Sequence, residues 1–97
     1  MIRVQIHDLA GTFAENKDIA AEIRESSVRP ALEVGEKVVI DFTDVEGATQ
    51  SFVHALVADL IRTRGAEVLT RIDFHACNKT VRSIVAIVAE YSQLDLT

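Results

Sequence analysis

The sequence holds one cysteine, Cys77, so no disulfide can form within the chain. That usage suits a reducing compartment. Only four glycines occur and none are grouped, which removes a glycine-rich phosphate loop. No CxxC, HExxH or GxSxG is present, and no acid/base pair stands out. No run of about 18 apolar residues exists, so no membrane-spanning helix is expected. The opening Met1-Ile2-Arg3-Val4-Gln5-Ile6 is interrupted at once by charge and polarity and does not read as a signal peptide. Basic residues are also few: 10 Lys and Arg stand against 15 Asp and Glu, a net charge of −5. They are scattered, whereas a nucleic-acid phosphate backbone needs a clustered basic surface. The chain is therefore expected to be cytoplasmic, to bind neither nucleic acid nor membrane, and to be no enzyme.

The apolar share is 48% of 97 residues, enough for one core in one domain spanning 1–97. Ile2, Val4 and Ile6 alternate with Arg3 and Gln5, the period of a strand with one buried face. Asp8 to Gly11 can turn the chain. Ile19, Ala20, Ile23, Ala31 and Val34 fall on one stripe, which predicts a helix over 17–34 with Asn16 as its N-cap and Gly35 as its stop. Pro30, the only proline, predicts a kink or a break there, with Ser26 and Ser27 offering local compensation.

Val38 to Phe42 is a nearly continuous apolar run and predicts a central, well-buried strand over 37–42. Phe52, Val53, Leu56, Val57, Leu60 and Ile61 mark the buried side of a helix over 51–64, closed by Gly65. A third strand is expected over 68–74. A third helix is expected over 79–92, capped by Asn78, with Val81, Ile84, Val85, Val88 and Tyr91 inward. The tail from Leu94 reads as loose. The order βαβαβα predicts an α/β fold with a mixed or mostly parallel sheet covered by helices. Val39 or Ile40, Leu56, Leu60, Val85 and Val88 should be among the most buried positions.

Three groups carry candidate chemistry. Asp41 ends an apolar strand, where ligands of open α/β sheets gather, and where an aspartate also serves the following turn. The loop 43–51 carries Asp44, Glu46, Thr49, Gln50 and Ser51 and leads into a helix. Its hydroxyls can cap that helix, or lie where a phosphate is favoured. Asp73, His75 and Cys77 share one face if all three lie in a strand, with His7 or His54 as further ligands. No spacing supplies a complete set, so no metal or cofactor is expected, and Cys77 reads as a small buried side chain.

Gly35-Glu36-Lys37-Val38-Val39-Ile40-Asp41-Phe42-Thr43-Asp44-Val45, leading into Thr49-Gln50-Ser51-Phe52, resembles the STAS-like domains of unknown function. Cys77-Asn78-Lys79-Thr80-Val81-Arg82-Ser83-Ile84 is similar to that family's asparagine-led final helix, and Arg29-Pro30-Ala31-Leu32 before Gly35 also fits. The resemblance spans roughly 15–91. It implies a regulatory domain that binds a protein partner. In the related STAS domains of anti-sigma factor antagonists, a histidine-kinase-like ATPase phosphorylates a hydroxyl at a helix start. Counted without gaps from Asp41, the residue at that position is Gln50, which cannot be phosphorylated. Ser51, and then Thr49, are the remaining phosphorylation candidates.

The expected function is thus a protein-interaction or regulatory domain, partner-switching with such an ATPase, through Asp44, Glu46, Gln50, Ser51 and His54. The alternative is a small-ligand or nucleotide site using Asp41, Asp44 and Ser51. A hydrolase or transferase on the same fold ranks third.

Overall fold

The computed structural model describes residues 1–94. Three parallel strands form the main sheet: β1 (Ile2–Gln5), β3 (Val38–Asp41) and β5 (Ile72–His75), in the order β1-β3-β5. A second, two-stranded parallel sheet joins β2 (Phe13–Ala14) to β4 (Gly47–Ala48). The helices are α1 (Ile6–Ala10), α2 (Lys17–Ile23), α3 (Arg29–Glu33), α4 (Gln50–Arg64) and α5 (Lys79–Leu94). β1 runs parallel to the central β3, so the main sheet is wholly parallel rather than mixed.

Register explains the core. Ile2, Val38 and Ile72 stand side by side, as do Val4, Ile40 and Phe74. Their side chains share one face, and that face meets the helices. The other face carries Arg3, Gln5, Val39, Asp41, Asp73 and His75. Val39 and Asp41 are buried there, while the four flanking residues are exposed. All four residues of β3 are thus buried, but only Val38 and Ile40 join the apolar core.

Helix α4 lies at the centre, packed between α2 and α5. Phe52, Val53, Leu56, Val57, Leu60 and Ile61 are all buried on it, as their spacing predicted. The Thr49 Oγ accepts the Phe52 N–H at 3.1 Å to start this helix, and Gly65, at φ 88°, stops it.

The first long helix is divided as its proline predicts. Arg24–Val28 forms a widened π turn between α2 and α3, and Pro30 sits in the first turn of α3. Widening the turn moves aside the carbonyl that the proline ring would crowd. Ser26 Oγ donates to the Glu22 carbonyl at 2.7 Å, the local compensation expected of it. Asn16 caps α2 through the N–H groups of Asp18 and Ile19.

Several expectations are corrected. Ile6 opens α1 and does not end β1, and α1 replaces the turn expected there. The third strand is Ile72–His75, not 68–74; Ala66–Thr70 is a 3-10 turn that buries Val68 without extending the sheet. Val34 is exposed, and Val85 is only half-buried, so neither is core. Ile87 on α5 is 44% exposed. The inward reading of Tyr91 falls on a side chain that is not described, and the tail beyond Leu94 lies outside the described residues. Among those residues no helix is long and apolar enough to cross a membrane.

Candidate functional site

The loop after β3 is fixed at its first residue. Asp41 is 5% exposed and both of its carboxylate oxygens are engaged. Oδ1 accepts the Thr43 N–H at 2.9 Å and the Thr43 hydroxyl at 2.6 Å, and Oδ2 accepts from Arg3 at 2.7 Å. The two Thr43 bonds, then the Arg3 guanidinium, hold the carboxyl down at about 2 against the cost of burial. Asp41 thus works within the fold, folding Thr43 back in the turn that a strand-end aspartate forms.

Asp44 follows at φ 67°, in the left-handed region that Asp tolerates better than most side chains. Val45 returns to the core and donates its N–H to the Phe42 carbonyl at 3.0 Å. The Glu46 N–H then bonds the Thr12 carbonyl at 2.8 Å, β4 pairs with β2, and the Thr49 N–H bonds the Ala14 carbonyl at 2.9 Å. From the other side, Asn78 donates from Nδ2 to the Glu46 carbonyl at 2.8 Å. Its Oδ1 accepts the Val81 N–H at 2.8 Å, so one side chain both starts α5 and ties it to the loop.

The backbone is pinned, yet the polar side chains point outward. Asp44, Glu46, Gln50, Ser51 and His54 are exposed, and Thr49 is half-buried. Gln50, Ser51 and His54 line a shallow depression of about 420 Å³ with Lys17 and Ala55. Asp41 and Asp44 do not line it; of the three residues in the small-ligand reading, only Ser51 does. The two hydroxyls differ in use. Thr49 Oγ is occupied as the helix cap, while Ser51 is exposed on the first turn. Phe52, on the same turn, is wholly buried and adds nothing to the exposed group.

The metal-ligand triplet does not assemble. β5 ends at His75, so strand alternation does not carry Cys77 onto the face of Asp73 and His75. Among the described residues no group of three His, Cys, Asp or Glu is placed to hold a metal. Cys77 is half-buried against the core, and that burial pushes its thiol up, away from the thiolate a nucleophile needs.

Two residues beside the loop have no signal in the sequence. Phe13 is 52% exposed, and its ring lies across Gly47 so closely that a Cβ there would stand 2.7 Å from ring carbon Cε1. Gly47 is needed for that close approach. Lys17 opens α2 beside Ser51 and His54. A two-residue strand has no periodicity to read, so Phe13 could be found only through its partner across the ribbon.

A family model for the STAS-like domain of unknown function (DUF4325) matches residues 20–82, which contain α4, the whole loop and the Asn78 cap. The chain belongs to this STAS-like family. No curated protein and no solved structure matches it significantly.

Proposed function

We propose that this chain is a regulatory protein-interaction domain whose partner surface is the loop after β3 and the first turn of α4. One observation carries the reading: a rigid backbone presents polar side chains that the fold does not use. The loop is held by Asp41, by the β2–β4 ribbon and by Asn78, while Asp44, Glu46, Gln50, Ser51 and His54 stay exposed. Pre-ordering a loop lowers the entropy that a partner must remove on binding. Phe13 adds a half-exposed aromatic ring beside these groups, the side-chain type that anchors interfaces. The chain acts by binding and not by catalysis.

The partner is a histidine-kinase-like ATPase, and Ser51 is the hydroxyl it would modify. Ser51 is free of capping duty and exposed, and a phosphate on the first helical turn is favoured by the helix dipole and by the nearby Lys17. Thr49 is second, because modifying it removes the cap on Phe52. The test mixes the chain with such an ATPase and ATP, then follows complex formation by size exclusion and phosphate by mass spectrometry. Complex formation lost in Gln50→Arg supports the surface. Phosphate found only outside 43–52 rejects the switch, and neither binding nor transfer rejects this partner class.

A further inference from the structure

We infer that Arg64 and Arg71 form a phosphate-binding site at the end of the domain away from the loop 43–51. The topology brings them together. Helix α4 starts beside the carboxyl end of β3 and runs back, so Arg64, in its last turn, returns to the end where β5 begins. Arg71 immediately precedes β5. Both line one pocket of about 360 Å³ with Leu32, Glu67, Val68 and Thr70.

Two observations separate this pair from ordinary surface charge. The chain has more carboxylates than cations, and Arg3, Arg24, Arg29 and Arg62 each pair with one. Among the described residues Arg64, Arg71 and Arg82 do not, and of these three Arg71 alone is half-buried, in a pocket that Glu67 also lines. The dipole of α4 accounts for a cation in its last turn. It does not account for Arg71, which comes to the same pocket from beyond the 3-10 turn. Arg71 is half-buried, and its Nη2 lies beside Gly35, 3.5 Å from where a Cβ there would stand. Gly35, at φ 82°, leaves that space open.

The chemistry of the lining selects the ligand. Two guanidiniums offer fixed forks of N–H donors that match phosphate oxygens. Leu32 and Val68 are almost fully buried, so recognition is polar. The Glu67 carboxylate repels any anion, but the two guanidiniums outweigh it, and the net positive charge draws a doubly charged phosphate more strongly than a singly charged anion. Free phosphate and a phosphate monoester share this chemistry.

Calorimetric titration of the full chain with inorganic phosphate and with phenyl phosphate, at matched chloride ionic strength, tests the site. Binding of either is expected, weakened about tenfold by Arg64→Ala and again by Arg71→Ala, the loss of one charge-assisted contact each. Glu67→Gln should strengthen it. Tighter binding of the ester marks an esterified phosphate as the ligand, and equal binding marks the free ion. Arg64 is exposed, so Arg64→Ala remains informative if Arg71→Ala fails to fold. No binding of either compound, or binding that Arg64→Ala leaves unchanged, overturns the inference.

Discussion

Arg3 on the edge strand and Asp41 at the end of the central strand are joined at 2.7 Å along a diagonal of the ladder, since Arg3 stands opposite Val39 and Gln5 opposite Asp41. The pair sits on the sheet face that the apolar core does not use. The carboxyl lies at about 2 in the folded chain, below its ordinary value of 3.8. Its ionisation therefore stabilises the fold above the unfolded value, and that contribution is lost as pH falls from 3.8 through about 2. Asp41→Asn should cost about 1–3 kcal/mol at pH 7, with the difference from wild type shrinking over that interval in urea titrations. Arg3→Ala should cost less than about 1 kcal/mol, because Arg3 is half in solvent and Thr43 supplies the stronger hold. Equal losses from the two variants would show that the ion pair, not Thr43, fixes the carboxylate.

Gly47 and Phe13 are a second matched pair. A methyl group at Gly47 meets the Phe13 ring at 2.7 Å, inside any normal contact. The ring is half-exposed and can yield, so Gly47→Ala should cost about 1 kcal/mol, the low end of overpacking. In a Phe13→Ala background the same substitution should cost nothing measurable, since nothing remains to displace. A double-mutant cycle by chemical denaturation reads this coupling. Independent, additive losses would mean that the ring does not rest where the contact puts it.

Leu60 is fully buried on α4, the helix that packs against both α2 and α5. Leu60→Ala should destabilise by about 2–5 kcal/mol, from lost transfer energy and the cavity left behind. Ile87→Ala, on the exposed part of α5, should stay within about 0.5 kcal/mol. Thermal or urea unfolding separates the two outcomes, and a small effect at Leu60 would show that α4 is not the central helix.

Long periodic segments were legible in the sequence because many residues repeat one signal. The buried stripe of α4 contains Phe52 through Ile61 and survives any single exception. Caps were legible for the same local reason: Asn16, Gly65 and Asn78 all act where their chemistry puts them. What escaped has no local pattern. Phe13–Ala14 and Gly47–Ala48 are strands only because they meet each other. Val68 is buried by a 3-10 turn against α4, and burial alone looks the same as a strand. The candidate loop was visible by position and polarity. Its rigidity was not, because Arg3, Thr12, Ala14 and Asn78 reach it from distant parts of the chain.

The partner surface itself gives the last expected outcome. Gln50 and Ser51 are exposed, make no side-chain hydrogen bond within the described structure, and sit on the first turn of a helix whose buried side is complete without them. Gln50→Arg adds length and a positive charge to that turn, and Ser51→Glu adds a negative one. Both should leave stability within about 0.5 kcal/mol of wild type, as surface changes usually do. Thr49→Ala should instead cost about 0.5–2 kcal/mol through the lost cap. Against the ATPase partner, each of the first two should weaken binding about tenfold or more, a loss of about 1.4 kcal/mol. Arg82→Glu, on the exposed side of α5, should bind as wild type. Affinity from calorimetry beside stability from urea titration distinguishes a surface effect from an unfolding one. If Arg82→Glu abolishes binding while both loop variants bind normally, the partner sits on α5, where the exposed Ile87 would be the first residue to substitute next.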